Sequence, residues 1–102
     1  MMKIYNISFH PEAMNDLKKI NHSVQIQILK QIKKLSISPE LGEALGNKFG
    51  INLTGLRKLY VNKKQIRIVY QIIESRIEVL IIGIGKRESN LVCETAKTRI
   101  NL

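Results

Sequence analysis

This sequence predicts an α+β domain of order β-α-α-β-β-β-α, a mainly antiparallel sheet with helices packed on one face. Three observations carry it. An apolar/polar alternation lies at the start, two segments with helical spacing follow, and from Leu56 onward the period returns to two through three runs joined by short turns.

Lys3 to Phe9 alternates, with Tyr5, Ile7 and Phe9 on one side and Asn6 and Ser8 on the other, the signature of a half-buried strand. Pro11-Glu12 fits the first turn of a helix, where a missing N–H costs nothing and a carboxylate meets the positive end of the dipole. Met14, Leu17 and Ile20 form its apolar stripe, away from Asp16, Lys18 and Lys19. Asn21-His22-Ser23 is a break and N-cap. Beyond it Val24, Ile28, Ile32 and Leu35 recur at helical spacing, while Lys30, Lys33 and Lys34 face outward. Ser38-Pro39 stops this second helix. "PELGEALGNKFGINLTG", with four glycines and a proline, is expected to be a connecting loop with room for a helical turn at Glu40 to Leu45.

Three strands are then expected over Leu56 to Val61, Gln65 to Ile73 and Arg76 to Ile84, with turns at Asn62-Lys63-Lys64 and Glu74-Ser75. Ile66, Ile68, Tyr70 and Ile72 share one face of the middle strand, and Arg67, Val69 and Gln71 the other. Ser89-Asn90 can cap a final helix from Leu91 to about Ile100. The sheet face left uncovered by helices is the candidate binding surface.

The 102 residues fit one domain, 1–102, and 44% hydrophobic content, with five aromatic residues and no Trp, calls for an aliphatic core. Seventeen Lys and Arg against eight Asp and Glu give a net charge of +9, of which +6 falls in residues 51–102. Such a field attracts polyanions, RNA or DNA first, with anionic membrane surfaces and acidic protein segments as alternatives. A single cysteine, Cys93, precludes an intrachain disulfide and suits a reducing cytosol. His10 and His22 are too isolated for a metal site. With no apolar run long enough for a signal peptide or a membrane span, the expected location is the cytoplasm.

The stretch "VLIIGIGKRE" invites comparison with a phosphate-binding loop. It lacks the four residues between glycines and the hydroxyl after Lys of a P-loop, and the third glycine and parallel βαβ unit of a dinucleotide fold. No nucleotide or other cofactor is expected. Glycines near a strand end instead suggest a bulge or relief from crowding.

Arg57, Lys58, Lys63, Lys64 and Arg67 form a run without a carboxylate, and Lys86 and Arg87 end the third strand. Antiparallel neighbours lie about 5 Å apart, so cations from all three strands can converge on one patch. For Lys63 and Lys64 a solubilising role at the turn is equally consistent. Arg67 interrupts the apolar strand "QIRIVYQII", a costly place for a cation unless it serves a partner or a carboxylate such as Glu74, Glu78 or Glu88. A phosphate would satisfy it equally, and the guanidinium fork suits one.

"RKLYVNKKQIRIVYQI" followed by "IIGIGKRE", with "FHPEAMNDLKKI" and "PELGEALGNKFGINLTGLRKLY" upstream, resembles the RelE/ParE superfamily of type II toxin-antitoxin toxins, most closely the RelE branch. That resemblance implies a ribosome-dependent mRNA endoribonuclease that inhibits translation, in which the substrate's own 2′-hydroxyl attacks the adjacent phosphate. It implies catalytic roles for Arg67, matching the arginine of "R-[IL]-V-Y", for Arg87, matching that of "G-K-R", and for Lys58, on the basic strand that supplies the base. Arg57, Lys63, Lys64 and Lys86 become RNA-binding candidates. The implied partners are mRNA on the ribosome and a cognate antitoxin with an acidic or amphipathic segment, operator DNA being reached only through the antitoxin.

Where the family often presents a tyrosine after G-K-R, this chain has Cys93. A thiol cannot stack on a base and has different proton chemistry. Three readings stay open: another aromatic such as Tyr60 or Tyr70 takes the role, activity is low, or the toxin acts differently. A small thiol packed on its helix is the plain structural reading of Cys93. The ParE branch, which resembles this fold and poisons DNA gyrase without catalytic residues, is the alternative function. An inactive relative that binds only its antitoxin is another.

Overall fold

In the computed structural model, which describes residues 3–48, 51–86 and 98–99, strand β1 covers Asn6–Phe9 and leads through His10 into helix α1, Pro11–Lys18. His10 caps that helix with its side chain, Nδ1 accepting from the Glu12 amide at 3.1 Å, and Pro11 takes the first helical position, where no amide partner is needed. Asn21 repeats the device for α2, His22–Leu35, accepting from the Ser23 amide at 2.9 Å.

A 3-10 turn at Pro39–Leu41 then leads into β2, Glu43–Lys48, and β3, Ile51–Val61. The expected loop is therefore largely strand. Its glycines suggested punctuation, but Gly46 (φ +59°) and Gly55 (φ +92°) lie inside the two strands, where the pairing register shifts between Ala44 and Gly46. Glycine in such a place marks a bulge rather than an end. Strands β4, Ile66–Ile73, and β5, Glu78–Lys86, complete a sheet of order β1-β5-β4-β3-β2. Only β1 and β5 run parallel; the other neighbours are antiparallel. The α+β class and the mainly antiparallel sheet are as expected, with one strand more. Of the expected final helix, Thr98 and Arg99 are helical and the remainder lies outside the described residues.

The core is aliphatic, as the composition requires. Ala13, Leu17, Ile28, Ile32 and Leu35 of the helices pack on Val61, Ile68, Tyr70, Val79, Ile81 and Ile84 of the sheet. Each fully buried aliphatic side chain here contributes about 1.5–3 kcal/mol. Among the described residues, no helix is long and apolar enough to cross a membrane.

One irregularity places the glycines of "GIGKR". Opposite β4, Tyr70 pairs with Ile81 and Val69 with Gly83, leaving Ile82 as an extra residue in β5. The bulge reverses the alternation, so Val79 and Ile81 before it and Ile84 after it all join the helix-side core. Gly83 and Gly85 consequently fall on the opposite face. Beyond Ile81, β1 no longer covers the edge of β5. There Asp16 Oδ2 accepts from the Ile84 amide at 3.1 Å, and Arg99 donates to the Ile82 carbonyl at 2.6 Å and to Asp16 Oδ2 at 2.8 Å. An ion pair thus occupies the edge that β1 leaves open.

Candidate functional site

Alternation along β3 puts Lys58 and Tyr60 on the face away from α1 and α2, and the antiparallel register sets Tyr60 opposite Arg67 and Arg67 opposite Gly85. A row therefore crosses three strands: phenol, guanidinium, glycine. Gly85 adds no side chain beside Arg67 on its β5 side. Leu56 and Val69 share this face and are buried, so it is less bare than the helix packing suggested.

Tyr60 lies between two cations. Lys58 Nζ donates to Tyr60 Oη at 3.0 Å and stands 5.0 Å from the ring centroid, while Arg67 Cζ stands 5.7 Å from that centroid. Arg67 is only 6% exposed, and the Lys58 side chain 10%. The hydrogen bond from Lys58, followed by weaker pulls from Arg67, holds the Tyr60 phenol below its ordinary value against the opposing effect of burial. Lys58 is pushed up, first by the same bond to Tyr60, with Glu43 adding to the effect. Glu43 sits opposite Lys58 in the β2–β3 register, 3.6 Å from Nζ and largely in solvent. The pair shares its proton in one sense: the lysine keeps it and the phenol yields it more readily.

Two of the carboxylates considered for Arg67 hold other partners. Glu74 accepts from the Tyr5 hydroxyl at 2.8 Å, and Glu78 from Ser8 Oγ at 2.9 Å, both toward the end of β5 away from Gly85. Glu88 lies outside the described residues, as do Arg87 and Cys93.

The other expected cations separate by register. Arg57 pairs with Tyr70 and so lies on the helix-side face, where Nη1 donates to the Gly42 carbonyl at 2.7 Å; it braces the segment before β2 and does not join Lys58. Lys86 pairs with Ile66 and is likewise on the helix side, bordering a groove of about 410 Å³ with Lys19, Asn21 and Val24. Lys63 and Lys64 share a cleft with Tyr60, though Lys58 and Arg67 are not among its lining residues. With Tyr60, Asn62 and Lys30 they line a cleft of about 400 Å³ whose lining residues include no carboxylate. Their turn holds Asn62, Lys63 and Lys64 in succession at φ of 55°, 55° and 66°, left-handed values costly for lysine.

Tyr60 was legible in "RKLYV" only as a possible replacement for the family tyrosine. The signal that identifies its place is a count across the turn: Lys58 and Tyr60 two apart, then Arg67 in antiparallel register. Among the described residues, no group of three or more His, Cys, Asp or Glu could hold a metal ion.

The chain matches the family model described as the ParE toxin of the type II toxin-antitoxin system parDE over residues 7–91. It is 30% identical over 96 residues to the mRNA interferase toxin RelE of Escherichia coli, covering 94% of this chain and 97% of that one. A free-state structure of E. coli RelE bearing two arginine substitutions superposes with a TM-score of 0.78 at 26% identity, covering 95% of this chain and 98% of that one. RelE in the intact E. coli RelBE toxin-antitoxin complex gives a TM-score of 0.65 at 26% identity, covering 80% and 95%.

Proposed function

The chain belongs to the RelE/ParE superfamily and is a toxin of a type II toxin-antitoxin system, and from that premise we propose that it is a ribosome-dependent mRNA endoribonuclease. The observation that carries this reading is the Lys58–Tyr60–Arg67 cluster, a phenol between two cations on the sheet face away from the helices. An RNA phosphate is the group such a cluster is suited to receive.

Cleavage begins when the 2′-hydroxyl of the substrate ribose loses its proton and attacks the adjacent phosphorus. The phosphorane-like transition state carries extra negative charge, which Arg67 and Lys58 neutralise in surroundings largely withdrawn from water, with Arg87 adding a third cation. The bond to the 5′-oxygen then breaks, giving a 2′,3′-cyclic phosphate and a 5′-hydroxyl. Lys63 and Lys64 serve as phosphate contacts along the carboxylate-free cleft.

Neutralisation falls to a cognate antitoxin, a short chain with an acidic or amphipathic segment that matches the +9 charge. Both act in the cytoplasm, where mRNA is translated, and operator DNA is reached only through the antitoxin. A gyrase-directed action is the second reading, favoured by the ParE description of the matching family model. Induction of the chain followed by mapping of mRNA ends separates the two. New ends within translated regions support the interferase; intact mRNA with a rising DNA-damage response supports the gyrase reading. Harmless expression would indicate an inactive relative.

A further inference from the structure

We propose that Tyr60 Oη is the proton acceptor for the 2′-hydroxyl, with Lys58 remaining charged as its positioning and stabilising partner. This rests on the endoribonuclease reading and reverses the roles expected of Lys58 and the tyrosines.

The geometry favours the phenol over the amine. A base must be short of a proton when substrate arrives. Lys58 holds its proton more firmly than usual because it donates to Tyr60 at 3.0 Å, whereas Tyr60 yields its own more readily through that same bond. The described cations around Tyr60 act in one direction. Lys58 comes from its own strand and Arg67 from β4, and Lys30, Lys63 and Lys64 share its cleft. Glu43 of β2 reaches only Lys58, at 3.6 Å, and is mostly solvated; Gly85 of β5 brings no charge. Lys58 Nζ bonds the hydroxyl end of the ring and not its face, so the contact acts on the proton of Oη.

The step balances. The phenolate takes the 2′-hydroxyl proton and becomes phenol, and the freed oxygen pair forms the new bond to phosphorus. The P–O5′ bond breaks with its electrons passing to the 5′-oxygen, which is protonated by solvent. The phenol then returns its proton to solvent, Lys58 favouring that release.

The test is the single-turnover cleavage rate of mRNA on programmed ribosomes against pH, with ribosome binding and melting temperature followed in parallel. Wild type should show a rate rising with pH and levelling below about 10, the ordinary phenol value. Tyr60→Phe should lose about 10²–10⁴-fold in rate with binding and fold retained. Tyr60→His should restore part of the rate and move the rising limb toward about 6.5, while Lys58→Met should move the wild-type limb up toward about 10. A Tyr60→Phe rate within about threefold of wild type, or a limb that neither variant moves, overturns the proposal while leaving the endoribonuclease intact. Loss in Tyr60→Ala but not Tyr60→Phe assigns stacking instead and also overturns it. Wild-type protein that binds ribosomes and cuts no mRNA overturns the endoribonuclease reading itself.

Discussion

Among the described residues Arg67 is the charged residue that the fold buries. It lies 6% exposed on a strand of buried residues, while Glu74 accepts from the Tyr5 hydroxyl and Glu78 from Ser8. Replacement by Met should lower ribosome-dependent cleavage by about 10²–10³-fold, the usual consequence of removing one transition-state donor. Single-turnover rates on variants with unchanged circular dichroism would check it. Asp16 is the structural counterpart. It accepts from the Ile84 amide and pairs with Arg99, both side chains mostly buried. Asp16→Ala should cost about 2–4 kcal/mol, read from the urea midpoint, because it leaves Arg99 and a strand-edge amide without their carboxylate. The sequence exposed Arg67 because a cation in an apolar strand is conspicuous. It hid Asp16 and Arg99, since pairing across the fold leaves no periodic mark.

Between elements, the joint at Gly42 is the tightest described. A Cβ there would strike the Lys58 carbonyl and come within 2.6 Å of Tyr70 Oη. That hydroxyl accepts from the Gly42 amide at 2.9 Å and donates to the Pro39 carbonyl at 2.6 Å. Gly42→Ala should therefore destabilise by about 1–3 kcal/mol through overpacking against backbone, measurable by thermal melting. Burial, the largest influence, raises the Tyr70 phenol above 10.0. The folded state then prefers the protonated phenol. Its contribution to stability is complete below pH 10 and is lost as pH climbs from there through the raised folded value, because the unfolded chain ionises first. Denaturant midpoints across alkaline pH should fall, and Tyr70→Phe should flatten that fall. At the β3–β4 turn, Lys63→Gly removes one left-handed lysine and should add roughly 0.5–1 kcal/mol. Strands β3, β4 and β5 and both helices were legible because one period runs through each. Strand β2 was not, since Gly46 and the shifted register break its alternation and composition alone reads as loop.

At the scale of the molecule, the described sheet is backed by α1 and α2, and the basic charge was plain from composition while its distribution was not. Arg57 and Lys86 belong to the helix side for a reason of parity, visible only once register is fixed. Fewer cations than the count suggests therefore share the face that carries Lys58 and Arg67. Affinity for a labelled single-stranded RNA should fall with salt at a log–log slope of about −2 to −3, as expected for three or four neutralised phosphates. Fluorescence anisotropy at several salt concentrations would measure it. The parallel contact between β1 and β5 has one more outcome. Among the described strands β1 pairs with β5 alone, so this edge closes only across the helices and the meander that lie between them in sequence. The contact joins Asn6 to Glu78 and Phe9 to Ile81, the pairing most distant in sequence among the described strands, and its loop-closure cost makes it a late event in folding.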